Sequence, residues 1–383
     1  MVGAVPNDVM SPVHDPSHDD RPGQGLALCL SGGGYRAMVF HVGVLWRLNE
    51  VGLLPELDHV SAVSGGSITA GALALCWSNL KWENNSAVNF GEELVEPILR
   101  MSGSTVDVTA VLGGVLSFGD SVADRVAAAY RRHLFGDATL QDLPDAPRFV
   151  FNATNLESGA LMRFAKKYLG DHTVGRVMRP DLELAVAVAA SSAFPPVLSP
   201  CTLDLRDRTW VTDTGNTLVT PGFRGVIRLT DGGVYDNLGL ETAWKNYTSI
   251  IVSDAGGRLA PDDEPATDPL RQTARVLKIV DSQVRALRKR QVIESFIAGA
   301  RSGMYVGIRS DTARFDDAVL SADPKRTAPL AALPTRLARV PEEIQKRLVN
   351  WGYIICDAGL RTHYPNGRLG AATQLPYPEE PLS

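Results

Sequence analysis

The stretch Leu26–Trp77 constrains the fold more than any other part of the chain: LALCLSGGGYRAMVFHVGVLWRLNEVGLLPELDHVSAVSGGSITAGALALCW. It carries one pattern twice, a short apolar run, a glycine-rich turn and then a helical periodicity. Leu26–Leu30 is apolar and is stopped by Ser31-Gly32-Gly33-Gly34, which predicts a buried strand. Ala37, Phe40, His41, Val44, Leu45 and Leu48 then recur at three- and four-residue spacing, one face of a helix, and Gly52 supplies its stop. In the second copy His59–Val63 is the strand, Ser64-Gly65-Gly66 the turn and Ile68–Trp77 the helix. Two such turns at the carboxyl ends of parallel strands lie side by side, where open α/β sheets bind ligands.

Strand, tight turn, serine, helix is the layout of a nucleophile elbow, and Ser64 occupies the serine position. A serine hydroxyl needs a base to take its proton and donors to hold the oxyanion it creates. The Gly65 amide begins a helix, where partial positive charge favours an anion. Gly32, Gly33 and Gly34 place a second run of amides, free of side chains, at another helix start.

SGGGYRAM followed by AVSGGS resembles the patatin-like phospholipases, including animal cytosolic lipid hydrolases with a Ser-Gly-Gly-Gly-x-Arg loop. FNATNLESG (Phe151–Gly159), ASSAFPP (Ala190–Pro196) and DGGVYDNLG (Asp231–Gly239) are similar to later blocks of that family, in the same order. The resemblance implies a three-layer α/β/α fold with a mainly parallel central sheet, and a lipid acyl hydrolase that needs no cofactor. It implies Ser64 as nucleophile, Asp231 as its partner, Gly32–Gly34 as oxyanion loop and Arg36 as the basic residue attached to that loop. It also implies that Ala193, Phe194 and Pro195 line the acyl pocket. The sequence departs from the usual G-x-S-x-G elbow at its first position, which is Ala62.

Composition narrows the class. The net charge of −5 argues against a general nucleic-acid binder. Cys29, Cys76, Cys201 and Cys356 are scattered, neither a disulfide framework nor a zinc pattern, as expected of buried thiols in a cytoplasmic protein. Residues 1–24 carry prolines and aspartates without a basic or apolar segment, so a disordered lead-in is expected rather than a signal peptide. Val60–Trp77 is long enough to suggest a membrane span, but its serines, threonine and glycines favour the elbow.

Residues 25–260 form the expected catalytic core. Within it, 79–147 is an insertion or lid, with helices expected at Glu92–Met101 and Val122–Leu134 and an apolar stretch at 106–118. Arg148–Ala153 and Gly159–Phe164 are expected strands, Leu182–Ala190 a helix, and Gly225–Leu229 and Ser249–Ser253 strands. Asp231 follows a strand end, where a parallel sheet places catalytic groups. Residues 261–364 read as helical and packed on the core, and 365–383 as a tail too polar to pack. In the long helix of this region Leu277, Val280, Val284 and Leu287 share one face, opposite Arg275, Lys278, Arg285 and Lys289. The basic face is a candidate peripheral contact with anionic lipid; an apolar face against the core is the plainer expectation.

Three rivals remain. Gly32-x-Gly34-x-x-Ala37 also fits a dinucleotide fingerprint, with Asp58 at the distance of the acid it needs, but Asp58 precedes its strand. A Ser64-Asp231-His363 triad is permitted by chain order. A non-catalytic lipid-binding relic of the fold is the third. Asp213, Asp236 and Asp254 compete with Asp231 for the role of base, and His41 reads as a satisfied core residue.

Overall fold

The computed structural model describes residues 22–106, 121–213, 215–364 and 374–383. The expected lead-in up to residue 21 and most of the apolar stretch 106–118 lie outside them. The sheet strands are β1 (Gly23–Leu30), β2 (His59–Val63), β3 (Arg148–Asn155), β4 (Leu161–Phe164), β5 (Tyr168–Asp171), β6 (Gly175–Met178), β7 (Cys201–Asp204), β8 (Trp210–Val211), β9 (Val226–Asp231), β10 (Tyr247–Asp254) and β11 (Ser302–Gly307). Their order is β8-β6-β5-β4-β3-β2-β1-β10-β11, with β9 joining β3 to β7. From β3 to β11 neighbours on this path are parallel; from β3 to β8 they are antiparallel. β9 is antiparallel to β3, so Asp231 does not end a parallel strand as expected.

The principal helices are α1 (Gly34–Glu50), α2 (Gly65–Cys76), α3 (Glu96–Ser102), α4 (Val122–Tyr130), α5 (Leu184–Ser191), α6 (Leu240–Trp244), α7 (Pro269–Ile297), α8 (Pro324–Ala332) and α9 (Glu342–His363). Alternation along β1 sorts them into layers. Leu26, Leu28 and Leu30 join the larger apolar core with α1, α2 and α9, while Ala27 and Cys29 join the smaller one with α6 and Val292 of α7. The result is a three-layer α/β/α arrangement. Asp58 accepts a hydrogen bond from the Leu26 amide (2.9 Å) at the opposite end of the strands from the glycine loops, which removes the dinucleotide reading.

α1 and α9 cross where both have glycine. A Cβ on Gly43 would lie 1.9 Å from the Val349 carbonyl oxygen, and one on Gly352 would lie 2.1 Å from that of Phe40. Those neighbours are backbone and cannot swing away. Gly43→Val is therefore expected to cost about 1–3 kcal/mol or more, read as a lowered midpoint in denaturant with an unchanged slope. A wild-type midpoint would mean that the helices can separate freely.

Two expectations need correction. The C-terminal third is not purely helical, since β11 extends the sheet beside β10. The described end of the tail packs: Asn350 Nδ2 donates to the carbonyls of Tyr377 (2.7 Å) and Glu380 (2.9 Å), and Leu382 is fully buried. One asparagine and one leucine hold irregular chain, so no periodicity announces it. The described part of the insertion buries Phe90, Leu94, Ile98, Met101 and Tyr130 in the main core as ordinary packing.

Candidate active site

Register brings Ser64 and Asp231 together. β4 occupies one edge of β3, opposite Asn152 and Ala153. On the other edge β2 pairs as far as Val63 with Asn152, and β9 takes over with Asp231 opposite Ala153. The two strands meet end to end on one edge. Ser64, one residue beyond Val63, therefore abuts Asp231.

Ser64 has φ 53° and ψ −119°, a left-handed backbone that a serine holds only when its surroundings impose it. Ala62 keeps a negative φ and is unstrained. The imposition comes from Ser191 at the end of α5. Its hydroxyl accepts from the Ser64 amide (3.0 Å) and donates to the Asn152 carbonyl (2.6 Å), while the Ser67 hydroxyl lies 2.8 Å away. Sequence reasoning gave Ser191 no role; a hydroxyl closing an otherwise apolar helix was the available signal.

Asp231 is buried. Its Oδ1 accepts from the Gly233 amide (2.7 Å), and Oδ2 is buried with no hydrogen bond of good geometry. Its own amide donates to the Ala193 carbonyl (2.9 Å), which makes Ala193 a brace behind the acid instead of a pocket wall. Burial raises the carboxyl pKa to about 7, against smaller opposing pulls from the Gly233 amide and the Ser64 hydroxyl. The rivals are engaged elsewhere. Asp254 accepts from Tyr305 (2.6 Å) and the Gly256 amide (2.8 Å) and is held below its ordinary pKa, burial being outweighed by Arg285 and those bonds. Asp236 accepts from the Leu238 and Glu241 amides, and exposed Asp213 pairs with Arg176.

No histidine lines the described cavity that holds Ser64 and Asp231. His363 lies in another cavity, edge-on to Phe315, so the triad does not form. His41 is fully buried between the Ser253 hydroxyl (2.8 Å) and the Ser31 carbonyl (2.9 Å), and burial lowers its pKa to about 4. It is a satisfied core residue.

The glycine loop presses on the elbow. A Cβ on Gly32 would sit 3.1 Å from Ser64 Cβ, and one on Gly65 would sit 2.2 Å from the Gly34 carbonyl oxygen. Gly33 (φ 151°) and Gly34 (φ 62°) turn the chain into α1. The Gly32 amide is not available to an oxyanion, because it donates to the Asn237 carbonyl (3.0 Å). No described hydrogen bond takes the amides of Gly33, Gly34 or Gly65. Arg36 is nearly fully buried. It donates through Nε to Ala255 O (3.1 Å), through Nη1 to Leu333 O and through Nη2 to Thr335 Oγ1 (3.1 Å). It ties the loop to two other segments and does not point a free charge at the site.

Both loops open into a cavity of about 730 Å³, lined also by Phe194 but not by Ala193 or Pro195. Its far wall is α7, which sits the other way round from expectation. Leu277, Val280 and Leu287 are 62%, 53% and 58% exposed, whereas Arg275, Lys278 and Arg285 line the cavity. The reason is acid buried beneath the helix: Arg288 pairs with Asp236 and Glu241, and Arg285 lies close enough to Asp254 to hold its carboxyl below the ordinary range. Among the described residues no group of three or more His, Cys, Asp or Glu side chains is arranged to hold a metal ion. No described helix is long and apolar enough to cross a membrane.

The model of the family described as patatin-like phospholipase matches residues 28–244. Among solved structures, human GIVD cytosolic phospholipase A2 is similar at 13% identity and TM-score 0.51, over 91% of this chain and 62% of that one. VipD from Legionella pneumophila is similar at 16% identity and TM-score 0.36, over 89% of this chain and 67% of that one. The chain thus spans less than two thirds of the human enzyme, and at 13% identity the likeness to that enzyme speaks for fold alone. No curated protein matches the sequence. The family match covers more than half of the chain and contains Ser64, Asp231 and the glycine loop: the chain belongs to the patatin-like phospholipase family.

Proposed function

We propose that the protein is a serine acyl hydrolase that cleaves carboxylic esters of lipids through an acyl-enzyme on Ser64, with Asp231 as general base. The observation that carries this reading is the meeting of β2 and β9 on one edge of β3, which sets a strained serine against a buried carboxylate with a free oxygen. Asp231 takes the Ser64 proton as Oγ attacks the ester carbonyl. The free amides of Gly33, Gly34 and Gly65 receive the oxyanion. Collapse expels the alcohol, which regains the proton from Asp231. A water deprotonated by the same carboxylate then releases the acid.

A fluorophosphonate probe tests the assignment, since it reacts only with an activated serine. Wild-type protein should be labelled on Ser64 and Ser64→Ala should not. Labelling that persists in Ser64→Ala would move the nucleophile to Ser31 or Ser67. No labelling of wild type, with no turnover of p-nitrophenyl butyrate, would leave a binding relic of the fold.

A further inference from the structure

The cavity containing Ser64 is strongly cationic in a chain whose net charge is −5. Arg258, Arg271, Arg275, Lys278, Arg285 and Arg336 line it, against three carboxylates, Asp231, Asp262 and Asp281. Arg271 pairs with Asp268 (2.9 Å), Arg275 with Asp262 (3.5 Å) and Arg285 with Asp281 (3.7 Å). Among the described residues Arg258, Lys278 and Arg336 have no such partner, and Arg285 Nε is buried without a hydrogen bond. The surplus continues into an adjoining cavity that shares Arg258 and Arg285 and adds Lys289 and Arg309.

These cations repel one another. Arg309 is held below its ordinary pKa by partial burial and then by Arg258 and Arg285, and buried Arg36 is lowered to about 10 partly by Arg309 and Arg285. Unneutralised positive charge in a cleft focuses the field and favours an anion there. Arginine forks and a lysine suit phosphoryl oxygens. A quaternary ammonium is recognised instead by aromatic faces, and the only aromatic residue among those lining this cavity is Phe194.

Resting on the hydrolase reading, we propose that this cavity selects lipid esters whose headgroup is an anionic phosphate over zwitterionic ones, with the α7 wall, Arg258 and Arg336 holding the phosphoryl group while Ser64 attacks the ester. The helix is asymmetric: the apolar face of α7 points outward, so the basic residues act on the headgroup of the lipid already bound and not on the membrane plane.

The test uses short-chain lipids kept monomeric, so that surface recruitment cannot create a preference. Wild type should hydrolyse dihexanoyl phosphatidic acid with at least about tenfold higher kcat/KM than dihexanoyl phosphatidylcholine, if one charge-assisted bond is worth about a factor of ten. That ratio should shrink as salt rises. Lys278 and Arg336 are exposed, so Lys278→Glu with Arg336→Glu should keep the melting temperature and lower the ratio by about 10²-fold. Lys278→Arg should retain it. A wild-type ratio of one or less, or a ratio unmoved by the double reversal, overturns the headgroup assignment while fluorophosphonate labelling keeps the hydrolase reading intact. Absence of both labelling and turnover overturns the two together. Inorganic phosphate that competes at concentrations below the KM for the anionic lipid would assign the cations to a soluble phosphate compound and overturn the lipid assignment.

Discussion

Asp231→Asn is expected to lose about 10²–10⁴-fold in kcat, the usual effect of removing a general base, and to become more stable than wild type at alkaline pH. The variant is nearly isosteric. The Gly233 amide that donates to Oδ1 can donate to the asparagine oxygen, and the backbone bonds to Ala193 and Thr154 do not involve the side chain. The site should therefore keep its shape and lose only its proton acceptor. Turnover of p-nitrophenyl butyrate measures the first effect, with His363→Ala near wild type as the control. A kcat within tenfold of wild type for Asp231→Asn would remove this carboxylate from the mechanism. If His363→Ala were as inactive as Ser64→Ala, the triad would have to be restored.

The stability effect follows from the sign of the shift. The carboxyl has a pKa of about 7 folded, against 3.8 as its ordinary value. Below 3.8 both states hold the proton and the group is neutral to stability. As pH rises from there the unfolded chain releases its proton while the folded one retains it, so stability falls until about pH 7 and then levels off. Asparagine has no such dependence. Between pH 5 and pH 8 the variant should gain on wild type by about 3 kcal/mol, as an order of magnitude, measured by denaturant unfolding at both pH values. The same ionisation sets the rate: kcat should rise about tenfold per pH unit below about 7 and flatten above it.

How much of this site was legible in the sequence depended on whether the cause was local. The elbow was legible, because a short apolar strand stopped by Ser64-Gly65-Gly66 and followed by a helix is decided within a dozen residues. The unbroken apolar run of β1, buried on both faces, was also local. The union of β2 and β9 on one edge of β3 was not, since register between residues 63, 152 and 231 is a tertiary property. Orientation of α7 was hidden for a related reason. Its two faces were plain in the spacing, but which one turned inward depended on Asp236 and Asp254 ending up beneath it. Arg36 illustrates the same limit: its place beside the glycine loop was readable, whereas its carbonyl partners at Ala255 and Leu333 come from distant segments.

Gly65→Ala should reduce kcat by about 10²-fold although it leaves Ser64 and Asp231 in place. The new methyl carbon would fall 2.2 Å from the Gly34 carbonyl oxygen and 2.9 Å from the Gly34 nitrogen, both backbone. Restoring ordinary contact requires the elbow and the glycine loop to separate by roughly an ångström, a misplacement of the kind that costs about 10²-fold. The donors would then miss the oxyanion, while the proton transfer between Ser64 and Asp231 would persist. Fluorophosphonate labelling of Ser64 should accordingly continue at a reduced rate, which separates this variant from Ser64→Ala. Overpacking should also lower stability by about 1–3 kcal/mol, so rates belong well below the melting temperature. Gly91→Ala is the matched control, because a Cβ there meets nothing within 4 Å. Wild-type kcat in Gly65→Ala, at any stability, would mean that the contact between the two glycine turns does not position the oxyanion donors, and the assignment of Gly33, Gly34 and Gly65 would fall with it.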